Sequence, residues 1–103
     1  MNSTQKPVAV ITGGGTGIGR ATSEKLAAAG CTVVIIYSRS DAEANDTVNA
    51  IRARGQDAIA IQTDVADDGQ VRRTMAEVVD SFGNITYLIN NAGITRQLPF
   101  ADL

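Results

Sequence analysis

Four short, unbroken apolar runs punctuate this chain: Val8-Ala9-Val10-Ile11, Val33-Val34-Ile35-Ile36-Tyr37, Ala58-Ile59-Ala60-Ile61 and Tyr87-Leu88-Ile89. None alternates apolar with polar residues, which marks strands covered on both faces. Helical spacing fills the intervals. Residues from about Ile18 to Ala29 carry Ala21, Leu26 and Ala28 as an apolar face and stop at Gly30, a helix terminator. Asp41 to Arg54 place Ala44, Val48 and Ile51 on one stripe before Gly55. Asp67 to Phe82 repeat apolar residues at Val71, Met75, Val78 and Phe82, with Gly83 behind and Asp67 or Asp68 available as cap. Strand and helix in strict alternation predict a parallel α/β sheet built by right-handed crossovers, with helices on both faces. Pro99 to Leu103 read as the start of one more helix.

At 103 residues the chain holds at most one domain. A formal charge of −2 and a pI near 4.8 offer no long-range attraction to nucleic acid or to an anionic membrane. No apolar run approaches a membrane span, and the four apolar residues before Gly13 are too few for a secretory signal core. The single cysteine, Cys31, excludes an intrachain disulfide, suits a cytoplasmic location and reads as a small core residue at the opening of the second strand. Histidine, the commonest general base and metal ligand, is absent, and no metal site is expected.

Five of the ten glycines lie between Gly13 and Gly19, where the first strand turns into the first helix. Free backbone N–H groups and the positive helix end make such a turn a site for phosphate. Bare backbone also admits positive φ and the close approach of a pyrophosphate. A P-loop is excluded: Gly14 and Gly19 have its spacing, but Arg20-Ala21 replace the lysine and the hydroxyl that binds magnesium. The G-x-G-x-x-G fingerprint fails as well, since Ile18 occupies its third glycine counted from Gly13. The pattern that fits is Thr-Gly-x-x-x-Gly-Ile-Gly over Thr12 to Gly19. Ligands of open parallel sheets sit beyond the carboxyl ends of the strands. Thr12–Gly19, Tyr37–Arg39, Asp64-Val65 and Asn90–Gly93 would all open on that edge, where one cofactor could touch them.

Thr12-Gly13-x-x-x-Gly17-Ile18-Gly19, Asp64-Val65 and Asn90-Asn91-Ala92-Gly93, in that order, resemble the short-chain dehydrogenase/reductase family from Val8 to the end of the chain. Within it, INNAGITR at Ile89–Arg96 looks most like the 3-oxoacyl-carrier-protein and acetoacetyl-CoA reductases. The resemblance implies a Rossmann-like three-layer α/β/α fold, its sheet in strand order 3-2-1-4 forming the first half of a doubly wound domain. It implies that Gly13, Gly15, Thr16, Gly17 and Gly19 shape a pyrophosphate loop, with Ile18 beside the nicotinamide half. Asp64 would bond the adenine amino group with Val65 alongside, and Asn91, Ala92 and Gly93 would line the cofactor near its adenosine ribose while Asn90 steadies the sheet. Taken alone, Asp64 reads as a cap or solvated loop acid before a ligand, and Asn90-Asn91 without the glycine loop as a strand-end turn; the family resemblance moves both toward function. Thr86 departs from relatives that carry an acid there.

NAD sites place an acid about 20 residues after the glycine motif, whereas NADP sites need a cation and no acid. This chain reads Tyr37-Ser38-Arg39-Ser40 at that place. A guanidinium can grip a 2′-phosphate with two hydrogen bonds, so Arg39, helped by Ser38, favours NADP (NADPH) over NAD. Asp41 follows closely and can cap the second helix.

In the resembled family a tyrosine exchanges the proton, a lysine four positions on lowers its pKa, and a serine orients the substrate oxygen. A phenol ionises unaided only near about pH 10, so the cation is chemically necessary. Tyr37 is followed at that spacing by Asp41 and Tyr87 by Asn91, so no catalytic residue is assigned. The expectation is the amino-terminal, cofactor-binding part (1–103) of a longer reductase acting on a small carbonyl or alcohol substrate, the full-length form a homo-oligomer, dimer or tetramer. The 103 residues alone are expected to be inactive and poorly stable, with the fourth strand's outer edge exposed. A non-catalytic nucleotide-binding module or inactive remnant is the alternative, and an α/β domain for another nucleotide or flavin is a third.

Overall fold

The computed structural model describes residues 6–13, 15 and 17–91. Its elements run β1 (Val8–Thr12), α1 (Gly17–Ala28), β2 (Thr32–Tyr37), α2 (Asp41–Ala53), β3 (Ala58–Gln62), α3 (Asp68–Phe82) and β4 (Ile85–Asn90). All pairings are parallel, in order β3-β2-β1-β4, as expected. The helix expected from Pro99 onward lies outside the described residues.

Side chains of a strand point alternately to opposite faces, and here both faces are dry. Ala9, Ile11, Val33 and Ile35 pack with Ala27 of α1 and Ala44, Val48 and Ile51 of α2. Val8, Val10, Val34 and Ile36 pack with Val78 of α3 on the other side. The result is three layers, with all of β1 and nearly all of β2 buried. Each fully buried Val or Ile contributes about 1.5–3 kcal/mol, so these two strands carry the fold. Cys31 is buried just before β2, as expected.

The stripes expected on α2 and α3 are largely those observed, but α1 differs. Its buried residues are Gly19, Ser23 and Ala27, while Ala21 and Ala28 are exposed and Leu26 is half-buried. Alanine suits either face of a helix, so it gives no orientation. Small residues at i, i+4 and i+8 seat α1 on the sheet, and the Ser23 hydroxyl is satisfied within the helix by donating to the Gly19 carbonyl (2.8 Å).

Asp67 is the cap of α3, its carboxylate accepting from Gln70 N–H at 3.2 Å. Asp41 does not cap α2; the cap position falls on Ser40, and Asp41 is the first helical residue. There its charge complements the positive helix end. The register between β1 and β4 jumps from Val8↔Ile85 to Ala9↔Tyr87, leaving Thr86 as a bulge. Its hydroxyl accepts from Val8 N–H at 3.4 Å. β4 pairs on one side only among the described residues, and Tyr87 and Leu88 are exposed.

Candidate functional site

Parallel register brings all four strand exits to one edge. Thr12 pairs with Ile36 on one side and Asn90 on the other, and Tyr37 pairs with Gln62. The first residue of three of the departing loops is held by a neighbouring strand. Gly13 N–H donates to the Ile36 carbonyl (2.8 Å), Thr63 N–H to that of Tyr37 (2.8 Å), and Asn91 N–H to that of Thr12 (3.1 Å).

In the glycine turn, Gly13 and Gly17 adopt positive φ of 68° and 53°, a region side chains disfavour. A Cβ on Gly17 would meet nothing within 4 Å among the described residues, so none of them fills the space at the start of α1. Gly15 is needed for another reason: its Cβ would stand 2.7 Å from Ala44 Cα and 2.9 Å from Ala44 N. The close approach is to α2, far along the chain. Gly15 is also bonded there, its carbonyl accepting from the buried Thr47 hydroxyl at 2.9 Å. Ile18 is 74% exposed beside this turn. Thr16, Ala92 and Gly93 lie outside the described residues.

Beyond β2, Ser38 and Arg39 are exposed. Among the described residues neither the Ser38 hydroxyl nor the Arg39 guanidinium has a hydrogen-bond or ion-pair partner, although Asp41 is two positions away. Beyond β3, Asp64 Oδ1 accepts from Ala66 N–H (3.0 Å) and its own N–H donates to Gln70 Oε1 (2.9 Å), so one carboxylate oxygen shapes the loop. Thr63 is buried and shares a 2.7 Å hydrogen bond with Thr74 of α3. Beyond β1, the Thr12 hydroxyl donates to Asn90 Oδ1 (2.7 Å), tying β1 to β4. The Asn91 Nδ2 is buried with no hydrogen-bond acceptor among the described residues. An orphaned buried donor costs about 1–3 kcal/mol.

Two clefts open on this edge. The first, about 260 Å³, is lined by Gly13, Gly15, Ile36, Tyr37, Ser38, Arg39, Ser40, Thr63 and Val65. The second, also about 260 Å³, lies under α3 and shares Ile36, Thr63 and Val65. Gly13, Gly15, Ser38, Arg39 and Val65 are thus brought together; Gly17, Ile18, Gly19, Asp64 and Asn91 line neither of these two clefts. Sequence reasoning missed Thr47 and the Thr63–Thr74 pair. The available signal for Thr47 was a hydroxyl standing inside the apolar stripe of α2. No cluster of three or more His, Cys, Asp or Glu suited to a metal occurs among the described residues, and no described helix is long and apolar enough to cross a membrane.

An open parallel sheet, layered by helices and opening on a glycine turn, defines the Rossmann class, and solved short-chain dehydrogenases share it. Residues 7–103 match the family model described as short chain dehydrogenase, and the chain belongs to that family. The chain is 46% identical over 103 residues to the short-chain dehydrogenase/reductase homolog YusS of Bacillus subtilis, covering all of itself and 94% of that protein. It is 44% identical over 88 residues to the 3-oxoacyl-[acyl-carrier-protein] reductase FabG of Staphylococcus aureus, covering 85% of itself and 36% of that enzyme. A Burkholderia cenocepacia short chain dehydrogenase solved in complex with NADP superposes with a TM-score of 0.82 at 44% identity, over 99% of this chain and 42% of that one. The chain therefore spans well under half the length of that reductase and that solved structure.

Proposed function

We infer that this chain is the NADP(H)-binding portion of a short-chain reductase acting on a carbonyl or alcohol substrate, with 3-oxoacyl thioesters the favoured class. The single observation that carries the reading is that Arg39, whose guanidinium has no hydrogen-bond or ion-pair partner among the described residues, lines the same cleft as Gly13 and Gly15 of the glycine turn. Among the described residues, those present fit the cofactor in three respects: a Cβ on Gly17 would meet nothing within 4 Å, the buried Asn91 Nδ2 has no acceptor, and the Arg39 guanidinium and Ser38 hydroxyl have no partner. Gly13, Gly15, Thr16, Gly17 and Gly19 would hold the pyrophosphate with the N-terminus of α1, and Ile18 the nicotinamide side. Arg39 and Ser38 would grip the 2′-phosphate, Val65 and Asp64 the adenine, and Asn91, Ala92 and Gly93 the ribose.

When bound, the cofactor supplies hydride to a carbonyl carbon or takes it from an alcohol. The 103 residues bind and orient; they supply no proton. Tyr37 and Tyr87 have Asp41 and Asn91 at the spacing where a lysine is required. FabG likeness supports the thioester substrate, and the NADP-bound neighbour supports the coenzyme. A second reading, a binding module without chemistry, is favoured by the near end-to-end match to the Bacillus relative.

Calorimetric titration of the chain with NADPH and NADH tests the site. Loss of a charge-assisted pair in the Arg39→Ala variant lowers NADPH affinity roughly tenfold or more and leaves NADH unchanged. Equal affinity for the two coenzymes in the parent chain refutes the assignment.

A further inference from the structure

We propose that Thr47, outside the binding edge, is the positioning residue that holds the glycine turn at a fixed distance from the 2′-phosphate grip; this rests on the cofactor reading above. The Thr47 hydroxyl is fully buried and donates to the Gly15 carbonyl at 2.9 Å, forking to the Glu43 carbonyl of its own helix at 3.1 Å. A mid-helix threonine satisfies itself with the carbonyl one turn back. Here the shorter arm leaves the helix and reaches a turn 32 residues away.

The helix it leaves is the one that Arg39 introduces. Ala44 N–H donates to the Ser40 carbonyl at 2.9 Å, closing the first turn of α2 directly after Ser38-Arg39. The same Ala44 backbone abuts Gly15, where no Cβ can be accommodated. Van der Waals contact at Ala44 and the hydrogen bond at Thr47, one helical turn apart, therefore clamp the turn to α2 at two points. Two phosphate subsites, one at the glycine turn and one at Arg39, become parts of one rigid body. A ligand carrying both phosphates at a set separation gains from that rigidity, because the protein has less to order on binding. A ligand that reaches only Arg39 gains nothing.

The test compares NADPH with adenosine 2′-monophosphate, which lacks the diphosphate, on the 103-residue chain. Losing one neutral hydrogen bond in Thr47→Val weakens NADPH roughly three- to tenfold and leaves the monophosphate unchanged, and Thr47→Ser restores NADPH. Without any ligand, backbone amide exchange accelerates in the turn around Gly13, Gly15 and Gly17 in Thr47→Val and returns to parental rates in Thr47→Ser. If Thr47→Val does not fold, Thr47→Ala, which places no methyl against the Gly15 carbonyl, must show the same two effects. Equal weakening of both ligands, unchanged NADPH affinity, or unchanged exchange in the turn overturns the proposal. Should the parent chain bind neither ligand, the cofactor reading fails by itself, and the exchange rates still decide whether Thr47 fixes the turn.

Discussion

Replacing Gly15 by alanine tests the contact that shapes the binding edge. The added Cβ would stand 2.7 Å from Ala44 Cα and 2.9 Å from Ala44 N, against an ordinary separation of about 3.5–4.0 Å between carbon atoms. Both obstacles are backbone, so no rotamer change relieves them, and turn and helix must part by roughly 1 Å. Such overpacking costs about 1–3 kcal/mol. The same displacement stretches the 2.9 Å bond from Thr47 past hydrogen-bonding reach, adding about 1 kcal/mol. The sum, roughly 2–4 kcal/mol, is a large share of the ~5–15 kcal/mol expected of a small domain. In urea, followed by far-ultraviolet circular dichroism, the midpoint should fall by roughly 1–2 M, given a slope of about 2 kcal/mol per molar. Adding Ala44→Gly removes only the 3.2 Å side-chain contact and should not rescue. A midpoint within about 0.3 M of the parent, or full rescue by Ala44→Gly, would refute the reasoning.

Thr63→Val leaves the Thr74 hydroxyl buried without its 2.7 Å partner and should cost about 1–3 kcal/mol. In thermal unfolding, the double variant Thr63→Val/Thr74→Val should be closer to the parent than either single change predicts, and strict additivity would contradict the pairing. Burial raises the Cys31 thiol above its ordinary pKa. The folded chain thus keeps a proton that the unfolded chain releases as pH rises through the usual thiol range near about 8.5. Stability should be level in this respect below that pH and decline above it, and iodoacetamide should alkylate the native chain far more slowly than the chain in urea. Equal alkylation rates would place the thiol at the surface.

How much could be read in advance depended on whether a residue's reason lay near it in the chain. β1 and β2 announced themselves because burial on both faces leaves uninterrupted apolar runs. β4 was clear only in its centre, since Thr86 bulges at its start and Asn90 faces the edge. The buried side of α1 was misread because alanine suits either face: Ala21 and Ala28 are exposed while Ala27 is buried. The glycine turn was visible as a turn, yet the need for Gly15 was not, because it arises from Ala44, distant in sequence and adjacent only after folding. Thr47 was hidden for the same reason.

Strands buried alike on both sides carry an ambiguity. Sliding β2 by one residue would exchange Val33 and Ile35 with Val34 and Ile36, and either pair satisfies either face. Oiliness alone therefore does not tell one alignment from the next. The Gly13 and Thr63 amides, each fastened to β2 at its far tip, choose between them. A slip would carry Arg39 about 3.3 Å along and turn it to the opposite side. The place of Arg39 in this chain is thus indexed like a vernier, by two peptide hydrogens at the rim and not by the greasy interior they terminate.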